Sequence, residues 1–400
     1  SFGDGATSTS QNPSHTFTTV ASYTVSLTVT NASSSASTSR TVDVLPSTTL
    51  SASFTYNPSA PTAAQSVQFT DTTTGTPTSW SWSFGDGATS ASQNPSHTYT
   101  AAGSYTVNLT ATNASGSDAA SASITVASAS AIIINHSTIS LADIPSEWIS
   151  AAKQSLHIAY GHTSHGSQLT TGMTGLVTWK GTLYSWNSGG TDGALDLRDY
   201  YGNFGGVGIA NDLGADINGS LDRSAWEEAT RAYLNTNPGV NVIIWAWCWQ
   251  VGGSVSDIQL YLDLMSQLEE DYPNIKFVYM TGHLDGCALT GNSWEIATAL
   301  RNQQIRDYCV ANNKILYDFA DIESYDPDGM YFGDKLANDN CDYDSDGNGT
   351  RDKNWAIDWE NAHPGEWYTC SAAHTQPLNA NMKAYAAWWL WARLAGWGGT

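Results

Sequence analysis

Trp82-Ser83-Phe84-Gly85-Asp86-Gly87 is followed by Asn94-Pro95-Ser96-His97-Thr98-Tyr99-Thr100 and then by Gly103-Ser104-Tyr105-Thr106-Val107. The same blocks occur 82 residues earlier, as Ser1-Phe2-Gly3-Asp4-Gly5, Asn12-Pro13-Ser14-His15-Thr16-Phe17-Thr18 and Ser22-Tyr23-Thr24-Val25. Several blocks repeated in order at one offset mark an internal duplication. Tyr105, Val107, Leu109 and Ala111 alternate with Thr106, Asn108 and Thr110, the period of a strand with one buried face. Gly-Asp-Gly offers a tight turn with positive φ available. Short strands at this spacing, separated by Ser/Thr-rich turns, predict a β-sandwich.

Together these blocks resemble the PKD domain, an Ig-like module of cell-surface and secreted proteins. The complete copy is expected over residues 47–128. The copy over 1–46 departs from the pattern: it starts at the turn and lacks any counterpart of Leu50–Trp82. Half a sandwich exposes strand edges and core. Two expectations stand side by side: the chain is a piece of a longer array, or a neighbouring subunit supplies the strands and self-association follows. Asp4 and Asp86 read as turn-capping residues, and nothing in this region clusters His, Cys and carboxylates, so a passive stalk is expected. Sequons at Asn31, Asn108, Asn113, Asn135, Asn218 and Asn348 suit a surface glycoprotein.

Composition separates this region from the rest. The 400 residues hold 15 Lys+Arg and 37 Asp+Glu, a net charge of −22. Residues 1–130 contribute only Arg40 and five aspartates, and 15 of the 17 tryptophans come later. Such an acidic balance argues against nucleic acid or an anionic membrane as partner. Charged residues make up 13%, about half the usual share of a soluble domain. Five cysteines, all after residue 247, suit one or two bridges in an extracellular domain. No run approaches the ~20 apolar residues of a membrane span, so the chain is expected not to be transmembrane. With Ser1 in first place and no signal peptide, it reads as a mature or trimmed product.

Beyond a Ser/Ala bridge near 126–131, strand and helix patterns alternate. Apolar runs at Leu156–Tyr160, Val240–Trp249, Ile275–Met280 and Ile315–Phe319 read as strands. Ile258, Tyr261, Leu262, Met265 and Leu268 recur at helical intervals, with a capping-box spacing from Ser256 to Gln259. Trp294–Asn312 and Asn379–Leu394 are further helices. This alternation predicts a parallel sheet covered on both faces, an α/β/α domain over 132–400. Sites in such sheets lie at the carboxyl ends of the strands.

The first strand ends in Gly161-His162-Thr163-Ser164-His165-Gly166-Ser167-Gln168. A serine just past a strand, beside glycines that let backbone N–H groups approach, suits a nucleophile next to its oxyanion donors. Ser167 is a rival nucleophile, and His162 and His165 are alternative bases or metal ligands. The strand at 240–249 leads into Cys248-Trp249-Gln250, which presents an amide at the same edge. Cys370-Ser371-Ala372-Ala373-His374 puts a histidine before the final helix. Trp249 and His283 are candidate substrate contacts with His165, and Asp285 is a reserve acid. Trp245, Trp247 and Trp249 read as one strand face.

This order of blocks resembles the SGNH/GDSL hydrolase superfamily, with its three-layer flavodoxin-like α/β/α fold. The resemblance implies Ser164 as nucleophile and His374 as base, with Gly206 and Gln250 completing the oxyanion hole. Two departures stand out. The first block is His-Thr-Ser-His-Gly rather than Gly-Asp-Ser, and position 371 is serine where the superfamily has an aspartate.

Asp342-Tyr343-Asp344-Ser345-Asp346-Gly347-Asn348-Gly349-Thr350-Arg351-Asp352 spaces carboxylates at 1, 3 and 5 with glycine at 6, as an EF-hand calcium loop does. Structural calcium on Asp342, Asp344, Asp346, Asn348 and Asp352 is expected, within an insertion near 339–354, and no organic cofactor. Cys341 and Cys370 bracket the loop and suggest a bridge. The functional expectation is a secreted or surface esterase acting on a polysaccharide or glycan ester, including carbohydrate deacetylation. Its rival is a structural or adhesive, filament-forming protein that keeps the fold without turnover.

Overall fold

The computed structural model describes residues 1–44, 49–59, 61–63, 65–127, 130–206, 212–214, 216–217, 220–248, 250–286 and 292–399. The chain divides into two compact units, Ser1–Ala129 and Ser130–Thr400.

The first unit opens with a two-stranded antiparallel ribbon, β1 (Ala21–Thr30) and β2 (Ser35–Val44). A sandwich follows. One sheet is β3 (Phe54–Asn57), β4 (Ser66–Asp71) and β7 (Ser96–Thr98); the other is β6 (Thr89–Ser90), β5 (Ser79–Ser83), β8 (Gly103–Asn113) and β9 (Gly116–Val126). Val107, Leu109 and Ala111 are buried along β8, and Val107 and Leu109 pack with Val67, Phe69, Trp82, Phe84, Tyr99 and Ile124. The alternation in the sequence is thus the alternation of core and solvent.

The two Gly-Asp-Gly turns are built alike. Asp86 Oδ1 accepts the Ala88 N–H at 3.0 Å while Oδ2 lies 2.7 Å from His97. In the first copy Asp4 caps Ala6 at 3.0 Å and meets His15 at 2.6 Å. Phe84 stacks on His97 at 4.2 Å as Phe2 stacks on His15 at 4.1 Å. Both aspartates are turn caps, as expected. What differs is cover. Leu109 is fully buried, whereas its counterpart Leu27 is 57% exposed, and Val29 and Val42 are exposed too. Fully burying such a side chain is worth about 1.5–3 kcal/mol, and each of these three forgoes part of it.

The second unit holds a seven-stranded sheet whose named pairs are all parallel. In chain order its elements are β10 (Ile132–Ile134), α1 (Ser146–Ser155), β11 (His157–His162), α2 (Ser167–Lys180), β12 (Trp186–Asn187), β13 (Leu195–Tyr201), a small hairpin of β14 (Asp216–Ile217) and β15 (Ser220–Leu221), α3 (Ala225–Thr236), β16 (Val242–Trp245), α4 (Val255–Asp271), β17 (Lys276–Met280), α5 (Ser293–Ala311), β18 (Ile315–Tyr317), α6 (Phe319–Ile322), β19 (Asp342–Tyr343), β20 (Lys353–Asn354), α7 (Trp355–Ala362) and α8 (Pro377–Leu394). The spatial order is β10-β18-β17-β16-β11-β13-β12. Successive strand residues serve opposite layers. Ile158, Tyr160, Val242 and Ile244 join one core with α1, α2 and α8. Ala159, Ile243 and Trp245 join the other with α3, α4 and α5. The result is the expected three-layer arrangement.

Strand order reverses at β11. Later strands β16, β17 and β18 lie to one side and β13 and β12 to the other. The crevice at the carboxyl ends of β11 and β16 is therefore the switch point where ligands settle in open α/β sheets.

Three local expectations need correction. The α4 box is formed by Ser254 and Asp257, not Ser256 and Gln259, because the helix starts two residues earlier. The central strand ends at Trp245, so Trp247 lies beyond it; Trp249 lies outside the described residues. Cys341 and Cys370 are both unbridged: Cys341 Sγ faces Thr375 Oγ1 at 3.7 Å and Cys370 Sγ faces the Pro377 carbonyl at 3.8 Å. No described helix is long and apolar enough to cross a membrane.

Gly85 has φ +88°, and a Cβ there would stand 2.7 Å from the Thr106 oxygen and 2.8 Å from its nitrogen. Gly85→Ala should therefore cost at least about 2 kcal/mol, combining left-handed strain and a backbone clash. Calorimetry of the full chain should show the endotherm of the first unit moved down and that of the second unmoved. Gly87→Ala, strained but unobstructed, should move it less.

Candidate functional site

β11 reaches the switch point through Gly161. A Cβ there would come within 2.4 Å of the Trp245 ring and 2.7 Å of Phe204, so only glycine lets the strand lie this close. His162 follows, almost wholly buried, with Nε2 bonded to Asp199 and Nδ1 donating to the Thr163 carbonyl at 2.9 Å. This histidine is committed to the β13 edge and is not an alternative base. Thr163 donates to Asp212 at 2.8 Å, and the chain then turns through Ser164 and His165 into α2.

Ser164 Oγ lies 3.4 Å from Cys248 Sγ, which follows β16. His165, 7% exposed, places Nδ1 3.4 Å from the same sulfur and Nε2 2.9 Å from Asp339 Oδ2. Thiol, imidazole and carboxylate thus stand in line. Burial lowers the His165 pKa, with His283 adding to the effect and Asp339 opposing it. Burial alone would raise the Asp339 carboxyl, but the His165 hydrogen bond and His283 outweigh it and hold it below the usual range.

Two further imidazoles complete the cluster. His165 stacks on His283 and on His374, each at 4.4 Å between centroids and 12° between planes. His283, 7% exposed, follows β17. Its Nδ1 faces the Leu284 carbonyl at 3.2 Å and so carries the proton; its Nε2 is buried with no hydrogen-bond partner. His374 is exposed and adopts φ +62°. Among the described residues no hydrogen bond joins it to Ser164.

A buried polar hub holds these loops together. Lys383 on α8 has no exposed surface and lies 2.5 Å from Glu323, also wholly buried. Glu323 accepts the Leu284 N–H at 2.5 Å, beside His283. Lys383 also donates to Gln168 on α2, whose amide donates to the Ala373 carbonyl at 2.6 Å, beside His374. Burial pushes the Glu323 carboxyl up and the Lys383 ammonium down, and each charge restrains the other's drift.

Ser167 is engaged elsewhere, its Oγ donating to the Ser164 carbonyl at 2.6 Å. Asp285 faces Arg351 at 3.8 Å, and burial raises its pKa; the acid on the cluster is Asp339. Gly206 is exposed at φ +73°. Gln250 starts a 3-10 turn, Gln250–Gly252, and its side chain lies outside the described residues, as does Trp249. Asp339 and Cys248 escaped selection. Asp339 belongs to no motif, while Cys248, just past a strand at the site edge, carried a usable signal.

In the acidic loop, Asp342 is turned toward Asn340 and Asn354, each donating at 2.9 Å. Asp344 accepts the N–H groups of Gly347 at 2.8 Å and Gly349 at 2.7 Å, and Asp352 accepts that of Ser345 at 2.8 Å. These backbone hydrogen bonds lower the pKa of Asp344 and of Asp352.

Residues 1–45 and 52–128 match the family model of the PKD domain. Among solved structures, the PKD1 domain of the Vibrio cholerae metalloprotease PrtV is 35% identical, covering 19% of this chain and 94% of that one, with a TM-score of 0.17. The PKD1 domain of Vibrio anguillarum Epp is 29% identical over 20% and 94%, with a TM-score of 0.18. A structure of carbohydrate-binding modules from the β-sandwich superfamily is 29% identical over 22% of this chain, with a TM-score of 0.21; the match spans only 38% of that chain. No curated protein matches.

Removing one partner of a buried ion pair strands the other charge, at about 3–5 kcal/mol. Lys383→Met should lower the stability of the second unit by that amount in urea unfolding. Lys383→Met combined with Glu323→Leu should recover part of the loss.

Proposed function

We propose that the chain is an extracellular protein whose PKD modules carry a domain that hydrolyses acyl esters at the switch point of the seven-stranded sheet. PKD domains are typical of extracellular proteins, which supports the location. The observation that carries the reaction is His165, which holds the Cys248 sulfur at one ring nitrogen and Asp339 at the other. A nucleophile in contact with a base, itself oriented by a carboxylate, is the arrangement acyl transfer needs.

The carboxylate accepts from Nε2–H, leaving the Nδ1 lone pair facing the thiol. Nδ1 takes the thiol proton as sulfur attacks the ester carbonyl and a C–S bond forms. Among the described residues the N–H groups of Ser164, His165 and Gly166, at the entry to α2, donate no hydrogen bond; they suit the developing oxyanion. The C–O bond then breaks and the alcohol leaves with the proton from His165. Water, activated by the same nitrogen, hydrolyses the thioester to the free acid. This reading moves the base from His374 to His165 and the attack from Ser164 to its neighbour Cys248. The resemblance to SGNH hydrolases supports the place of the site. The acidity of the chain favours a neutral ester, such as an acetylated polysaccharide, over a phosphorylated one.

The full chain should release acetate from acetyl esters, and Cys248→Ala and Asp339→Asn should each lower kcat by about a hundredfold or more. Ser164→Ala should stay within about threefold of the parent. A reversed order of the Cys248 and Ser164 effects returns the attack to serine, and a parent chain without turnover removes the hydrolase reading.

We also infer that calcium is held by Asp344, Asp346, Asn348 and Asp352, which supply hard oxygen donors around one turn. Asp342, now engaged by Asn340 and Asn354, joins them in the same way as Asp344 and Asp352, by exchanging its present hydrogen bonds for the cation. At a hundred times Kd, bound calcium adds about 2.7 kcal/mol. A chelator should lower the melting temperature of the second unit, and an unchanged value ends this proposal.

A further inference from the structure

We propose that His165, His374 and Asp339, supported by His283, form a binding site for one divalent transition-metal cation of the zinc type. One ligand atom from each of the first three residues lies within 4.8 Å of the others, the only such group of three among the described residues. Two imidazoles and a carboxylate suit zinc, iron(II) or cobalt(II), whereas calcium and magnesium take oxygen donors.

His283 supplies an independent observation. Its Nδ1–H is fixed on the Leu284 carbonyl, and its buried Nε2 lone pair meets no donor. An imidazole oriented by a backbone carbonyl on one side and bare on the other is the arrangement of a metal-bound histidine. An unmet buried acceptor costs about 1–3 kcal/mol; His283 stands outside the three residues whose ligand atoms converge, and reaches the cation by turning with the His165 ring on which it stacks.

Coordination requires local adjustment. Zinc–nitrogen bonds are about 2.0–2.1 Å, so the three ligand atoms must draw together. The stacked rings of His165 and His374 must also turn until their planes converge on the ion. His374 is free to do so: it is exposed, and among the described residues its ring makes no hydrogen bond. The ion replaces the proton now shared by His165 Nε2 and Asp339 Oδ2. Glu323 offsets Lys383, the nearest buried cation of the hub. The site does not depend on the hydrolase reading.

The test measures binding without activity, so its failure leaves the hydrolase reading standing. The full chain, stripped with a chelator and returned to millimolar calcium, is titrated with Zn²⁺ in equilibrium dialysis and with Co²⁺ in visible spectroscopy. The expected result is one Zn²⁺ per chain and a Co²⁺ absorption band of low-symmetry nitrogen and oxygen ligation. His374→Ala and Asp339→Asn should each weaken binding at least tenfold, and His283→Phe should weaken it while keeping the ring. His157→Ala, on the opposite strand end and paired with Asp196, should bind as the parent does. The proposal is overturned if the parent binds no Zn²⁺, or if all three cluster variants bind with the parent's affinity.

Discussion

The second unit depends on one buried charge. Lys383 sits on a helix that is otherwise apolar on almost every face, and its wholly buried ammonium reaches Glu323 and Gln168. The desolvation cost of two such ions is several kcal/mol each, which a purely stabilising core would avoid. The return is positional. Glu323 pins the backbone beside His283, and Gln168 pins the backbone beside His374. Loops far apart in the chain are therefore referred to one point. A leucine core would fill the same volume without specifying where those loops stop.

Sheet topology explains why that point faces a crevice. The reversal at β11 leaves the ends of β11 and β16 with no crossover helix between them, and β17 brings its own loop alongside. Ser164, Cys248 and His283 are each the product of a strand ending and a backbone turning out of the sheet. Gly161 lets β11 approach Trp245 closely enough for this to happen. The site is a consequence of strand order, and its chemistry is decided by a few residues past each strand end.

Local patterns were legible and distant pairings were not. The β-sandwich could be read because alternation and turn chemistry operate within a few residues and occur twice. The α/β layers could be read because strand and helix periods differ. The strand-end rule drew Ser164, His165 and His283 to one edge, and His374 was found by its place before the final helix. Asp339 lies 174 residues from the imidazole it orients and sits in a loop with no pattern of its own, so only the folded chain joins them. In the acidic loop the spacing was legible and the present partners were not: the β19–β20 pair turns Asp342 toward two asparagines, while Asp344 and Asp352 face backbone N–H groups. Spacing sets which side chains can converge, and hydrogen-bond competition decides which do.

The contact between His165 Nε2 and Asp339 carries a choice of chemistry. With a proton there, the imidazole is held in the tautomer that leaves Nδ1 open to Cys248, and the sulfur can be activated. With a cation there, the same nitrogen is a ligand and the ring must turn away from its present stack. Proton and cation cannot share that position, so the two proposed uses of this site exclude one another. His374 and His283 act on the first only through their charge on His165 and Asp339, since neither touches the thiol. Their presence beside a base that already has its carboxylate is the feature that a simple hydrolase would not need.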